Sequence, residues 1–307
     1  MVVAGCLAAA VCLPACGLGA GERTAAVTLT VSKQFGSIPL GSTTTSTPPA
    51  SETAMRQLQR AYDVKTSYAG RFVSAISGVR GGTDNGRPVD WFYFVNGIEA
   101  PVGAADTVLH GGDSIWWDFR DWGAATHVPA VVGSWPHPFT GGLDGKRPAV
   151  RILCAPHAEA ACAVVERQLA KEGVPAARGL AGTAGKGSGL RILVGEWKAI
   201  RPDPAAQLLE EGPSSSGVYL VPQAAWNGTS VVVLNPRGTM ATQLTGSVSF
   251  VAATSVGEGL PTWLVTGTDA ASVVVAANHL TAKDLRLRYA VAWSGGAATS
   301  APLVAEK

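Results

Sequence analysis

Asp118 and Asp121 lie three residues apart around Arg120 and just before Trp122, where two carboxylates could share acid and base work. The same residues serve equally as a strand end tied to Arg120 or as a turn cap, and that structural reading is the expectation. The five histidines, His110, His127, His137, His157 and His279, are dispersed, and none forms His-x-x-x-His. His127 and His137 flank a Pro- and aromatic-rich stretch and could ligate a metal, but solvated loop histidines are expected there. No metal-type cysteine spacing is present. Pro213-Ser214-Ser215-Ser216-Gly217 lacks the spacing of a nucleophile elbow and precedes a strand pattern. Gly185-Lys186-Gly187-Ser188-Gly189 has the glycines of a phosphate loop, yet Lys186 is followed by Gly and Leu180 stands where the first glycine belongs. It reads as a linker. At Val265-Thr266-Gly267-Thr268-Asp269-Ala270 a strand ends at a helix N-terminus, whose free N–H groups can hold an anion or the side chain of Thr268 or Asp269. The plain N-cap is expected. No enzyme class follows, so the chain is expected to be non-enzymatic, without catalytic residues, metal or catalytic cofactor.

The remaining candidates are aromatic. Asp90-Trp91-Phe92-Tyr93-Phe94-Val95-Asn96-Gly97 and Ser114-Ile115-Trp116-Trp117-Asp118-Phe119 are short aromatic and β-branched runs bounded by turn residues, which marks them as strands. Asn96-Gly97 suits a type I′ turn because both residues tolerate positive φ, and Gly111-Gly112-Asp113 supplies a second tight turn. Alternation puts Trp91, Tyr93 and Val95 on one face with Phe92 and Phe94 on the other. Likewise Ile115, Trp117 and Phe119 oppose Trp116 and Asp118. One helix can cover only one face of such a sheet. The other must meet a second domain, a ligand or partner, or the connection from Asp121 to Phe139, a length of loop that is usually functional or packed. Packing against a second domain is the preferred reading. If the rings meet a ligand, the expected contacts are Trp91, Tyr93, Asn96, Trp116, Asp118, Trp122 and Trp135.

These strands, with Val64-Lys65-Thr66 and Phe72-Val73-Ser74-Ala75-Ile76-Ser77-Gly78-Val79 upstream, resemble the DUF4430 family, the transcobalamin-like C-terminal domain, over residues 24 to 125. The resemblance implies a β-grasp-like sheet with one helix packed across it. In transcobalamin and intrinsic factor the related domain closes over one side of cobalamin. The implied ligand is therefore cobalamin or cobinamide, bound as cargo rather than as a catalytic cofactor, with His127 or His137 able to approach the cobalt. A membrane importer is the implied partner.

The elements that would position these residues can be read in order. Residues 25–32 alternate at period two and predict a half-buried strand. Residues 36–50, rich in Gly, Ser, Thr and Pro, predict a loop. Ser51 is placed to cap a helix over 52–62, with Ala54, Met55, Leu58, Ala61 and Tyr62 as its apolar stripe. Residues 72–76 predict a strand and 81–88 a polar loop. After an arm at 126–147, residues 148–293 read as a small α/β domain with a mixed sheet. Its strands are expected at 150–153, 190–195, 218–221, 231–234, 263–267 and 285–292, and its helices at 159–171, 205–211 and 270–280. Residues 179–189 read as a Gly-rich link and 294–307 as a tail. The fold class is α+β.

Composition bounds the rest. A chain of 307 residues with 47% hydrophobic residues can bury two cores, and a net charge of +2 gives no electrostatic case for nucleic acid. Residues 1–16 read as a signal peptide, and Leu13-Pro14-Ala15-Cys16 resembles a lipobox whose Cys16 would carry lipid. That predicts a lipoprotein on the extracytoplasmic face of a bacterial membrane, or otherwise a secreted protein. Cys154 and Cys162 remain as a pair, either bridged or free. Two functional readings follow: a binding protein that captures a small ligand for import, and a structural or adhesive envelope module whose aromatic face meets protein or polysaccharide.

Overall fold

The computed structural model describes residues 25–182, 189–225 and 228–305. Cys16 with its lipobox, most of the Gly185–Gly189 segment and Asn227 therefore lie outside the described residues. The alternating run becomes strand β1 (Val27–Lys33), with Val27, Leu29 and Val31 fully buried. The segment expected as a loop instead forms β2 (Ile38–Thr45), an edge strand paired antiparallel along β1. Its threonines suit a strand, but its largely exposed side chains leave no apolar alternation to read. Helix α1 (Ala54–Ala61) starts later than expected: Thr53, not Ser51, caps it by accepting the Arg56 amide at 3.2 Å.

β3 (Val64–Ser67), β4 (Phe72–Ile76) and β5 (Val79–Arg80) form a small antiparallel sheet. The expected polar loop at 81–88 is a hairpin from β6 (Gly82–Asp84) to β7 (Arg87–Val95), turning through Asn85 and Gly86 at φ 49° and 76°. β7 turns back through Asn96 and Gly97, also both at positive φ, into β8 (Ile98–Glu99), and pairs antiparallel with β9 (Ser114–Asp121). The main sheet runs β2-β1-β9-β7-β6, with β1 and β9 parallel at its centre and α1 across one face, the β-grasp-like arrangement.

The two faces have different covers. Trp91, Tyr93, Ile115 and Trp117 pack under α1 with Leu29, Met55 and Leu58. Phe94 and Trp116, on the opposite face, join a single core shared with the second half of the chain. The arm lies in that core too: Ala125, Val128, Val131, Val132, Trp135 and Phe139 are all buried.

The second half comprises β10 (Val150–Cys154), α2 (Glu159–Lys171), β11 (Ala176–Leu180), β12 (Leu190–Glu196), α3 (Trp197–Ile200), α4 (Pro204–Glu210), α5 (Pro213–Ser216), β13 (Leu220–Ala225), β14 (Gly228–Leu234) and β15 (Met240–Leu244). It continues with β16 (Val248–Thr254), β17 (Thr262–Gly267), α6 (Ala270–Asn278), α7 (Ala282–Leu285), β18 (Ala290–Ser294) and β19 (Ala297–Ala301). Its mixed sheet runs β11-β10-β12-β17-β16-β18-β19, parallel through β17 and antiparallel beyond; β13, β14 and β15 form a separate meander. Several boundaries differ from expectation. β11 begins before the Gly-rich link, and the tail holds β19. The strand placed at 285–292 starts only at Ala290, because Leu285 ends α7. β16, buried along its whole length, had no alternation to mark it. Asp269 caps α6 by accepting the Ser272 amide, the plain N-cap expected. Cys154 and Cys162 are joined in a disulfide, Cα to Cα 6.3 Å.

Candidate ligand cleft between the two halves

Six of the seven expected contact residues are interior. The Trp91 indole donates to Val79 O at 2.9 Å, and the Tyr93 hydroxyl lies 2.7 Å from Val102 O and Thr107 Oγ1, its ring stacked on Trp117 at 4.6 Å. Asn96 Nδ2 donates to Asp113 Oδ1 (2.8 Å) and Gly142 O (3.2 Å), while its Oδ1 accepts the Ser114 amide (2.9 Å), so one side chain ties both tight turns to the arm. Trp116 packs edge-on to Tyr289, and Trp135, Phe139 and Trp263 pack together as a three-ring cluster. Trp122 alone is half-exposed.

Asp118 is the polar centre of the contact between the halves. Fully buried, it accepts from Ser32 Oγ (2.5 Å), the Phe35 and Gly36 amides (2.9 and 3.1 Å) and the Tyr289 hydroxyl (3.0 Å). Trp116 Nε1 donates to Ser32 Oγ at 2.7 Å, which directs the serine proton to the carboxylate. Burial outweighs these donors and pushes the Asp118 carboxyl up to about 6. Asp121 is three residues along β9, so strand alternation turns it to the opposite face, where it pairs with Arg87 and accepts the Gly123 amide at 2.8 Å. The two carboxylates therefore do not converge. Gly36, at φ +81°, passes so close to Leu287 that a Cβ would lie 2.0 Å from its carbonyl oxygen.

Arg120 fastens the arm. Its guanidinium, buried over the Phe92 ring at 3.8 Å, donates to Ala125 O (2.7 Å) and to Glu99 Oε1 (3.4 Å). Glu99 also accepts the Val128 amide at 2.9 Å and pairs with His127, raising the His127 pKa. His137 sits elsewhere, beside Thr140, its pKa lowered by burial. The two histidines are not brought together, and no group of three or more His, Cys, Asp or Glu is placed to hold a metal among the described residues.

The open space lies at one end of the β-grasp-like sheet. A cleft of about 770 Å³ is floored by Phe35, Val89, Phe119 and Leu303 and edged by Lys33, Asp84, Arg87, Asp121 and Arg237. The chain closes it from three directions: the β1 exit, the β7 start with the β9 end, and the turn between β14 and β15 with the C-terminal segment. Asn235 Oδ1 accepts the Arg237 amide at 2.8 Å, shaping that turn, and Leu303 N donates to Leu234 O at 2.8 Å. Arg87 Nη2 reaches Pro236 O at 3.5 Å, joining the walls. Arg87 pairs with Asp121, while Lys33, Arg237 and the carboxylate of Asp84 make no ion pair among the described residues, so the rim carries one net positive charge. Sequence reasoning missed this site, because Asp84-Asn85-Gly86 and Asn235-Pro236-Arg237-Gly238 announce turns and nothing about their meeting.

Residues 51–121, from just before α1 to the end of β9, match the family model DUF4430, a domain of unknown function. The DUF4430 segment thus supplies Val89, Phe119, Arg87 and Asp121 of the cleft, and the other walls come from outside it. No curated protein matches the chain. One similar solved structure is that of a "putative metal binding protein" from Ruminococcus gnavus, at 14% identity and a TM-score of 0.25, covering 32% of this chain and 97% of that one.

Proposed function

We propose that this protein is a non-enzymatic binding protein, held at the extracytoplasmic face of a bacterial membrane by lipid on Cys16, that captures a small molecule in the cleft between its halves. The observation that carries the reading is the cleft itself: an apolar floor with a rim on which Lys33 and Arg237 outnumber the one unpaired carboxylate, Asp84. This chemistry suits a ligand with an apolar body and an anionic group. The Cys154–Cys162 bridge fits an oxidising compartment, in keeping with export. The resemblance of residues 24–125 to the transcobalamin-like domain supports a corrinoid handed to a membrane importer, and makes cobinamide and cobalamin the first probes. The adhesive alternative relies on an open aromatic face, and the burial of Trp91 and Trp116 counts against it.

Titrating the full chain with cobinamide and cobalamin tests the reading. The expected result is a shifted corrinoid absorbance, with affinity for cobalamin, whose phosphodiester supplies the anionic group, about tenfold weaker in Arg237→Ala through loss of a charge-assisted contact, and affinity for cobinamide, which lacks that group, little changed. No response to either corrinoid, together with retention of the protein on cell-wall material, would favour the envelope module instead.

A further inference from the structure

Ten large apolar side chains are exposed among the described residues, and four of them are Tyr68 (82% exposed), Val102 (52%), Val108 (51%) and Phe72 (39%). These four sit on a linked surface. Tyr68 and Phe72 meet edge-on at 6.3 Å across the turn between β3 and β4. Arg71 in that turn lies against Gly103, where a Cβ would stand 3.0 Å from the Arg71 oxygen. The loop of residues 100–113 carries Val102 and Val108 onward, bridging Val108 to Thr53 and bonding Leu109 N to Glu52 O at 2.9 Å. It ends where Gly112 N donates to Ala25 O and Ala26 O at 3.3 and 3.2 Å, the point at which the chain enters β1.

Strand direction separates this surface from the cleft. β1 enters at Val27, with Thr28 paired to Ser114, and leaves at Lys33, paired to Phe119; the cleft takes Lys33, Phe119 and Asp121 from the leaving end. Nine residue steps separate Cys16 from Ala25, so a lipid on Cys16 would hold the entry end within about 30 Å of the bilayer. From these observations we infer that Tyr68, Phe72, Val102 and Val108 dock this end of the protein onto the lipid bilayer, with the cleft turned toward the aqueous side. The inference rests on the lipid-anchor reading. An acyl anchor and a small apolar contact reinforce one another, and a tyrosine ring suits the headgroup zone.

The test couples Cys16 of the chain from Cys16 onward, the form the anchor reading describes, to a maleimide phospholipid in phosphatidylcholine vesicles, and compares amide hydrogen exchange with that of the same chain free in solution. The expected result is several-fold slower exchange over 67–72 and 101–109, unchanged exchange over 270–278, and loss of the effect in Tyr68→Ser/Val102→Ser. Both replaced side chains are exposed, so the double variant keeps the fold. Equal exchange on and off the vesicles, or protection that survives the double variant, overturns the docking surface. The mass of Cys16 in protein recovered from native membranes is a separate measurement: an unmodified thiol overturns the anchor, while the coupled vesicles still decide the docking.

Discussion

Replacing Asp118 by Asn isolates the electrostatics of the contact between the halves. The native carboxyl titrates at about 6 against an ordinary value of 3.8, so between these limits the folded chain holds a proton that the unfolded chain has released. Stability from this group is full below the lower value and is lost as pH rises through the upper one. At about 1.36 kcal/mol per pH unit the difference amounts to about 3 kcal/mol. The substituted amide cannot titrate, so the stability of wild type relative to Asp118→Asn should fall by about 2.4 kcal/mol of that total between pH 4 and pH 7. The substitution is therefore most damaging in acid. Other titrating groups are common to both proteins and cancel in the difference. The amide also sets an N–H against the Phe35 or Gly36 amide, adding a pH-independent cost of about 1–3 kcal/mol. Urea unfolding of both proteins across this range provides the measurement. A difference in stability that stays level from pH 4 to pH 7 would refute the reasoning.

Gly36→Ala places a Cβ 2.0 Å from the Leu287 oxygen at φ +81° and should cost about 3 kcal/mol, read as a lower urea midpoint. Glu99→Gln removes the carboxylate that raises the His127 pKa, so that pKa should drop in an NMR titration. In the wild type the pair contributes stability that is present below about 6.5 and fades as pH rises through the raised value. Replacing Cys154 and Cys162 by Ser opens a loop of sequence separation 8 and should cost about 2–3 kcal/mol in thermal unfolding, with no further loss on adding reductant.

Much of the β-grasp-like half was legible because its signals are local. Period-two alternation along β1, β7 and β9 sorted the rings correctly onto two faces, and Asn96-Gly97 identified its turn, because both depend only on neighbouring residues. β2 escaped because an exposed edge strand has no apolar alternation, and β16 because a strand buried on both faces has none either. The sequence also showed that one sheet face needed a further cover. The tertiary structure decided which cover: the arm with Trp135 and Phe139, and a hydroxyl on Tyr289 that meets Asp118 across 171 residues. The cleft is likewise a product of assembly, since Lys33, Arg87, Phe119, Arg237 and Leu303 become neighbours only when two sheets pack. Local pattern records which side of a strand avoids water; it carries no record of which distant segment will lie against that side.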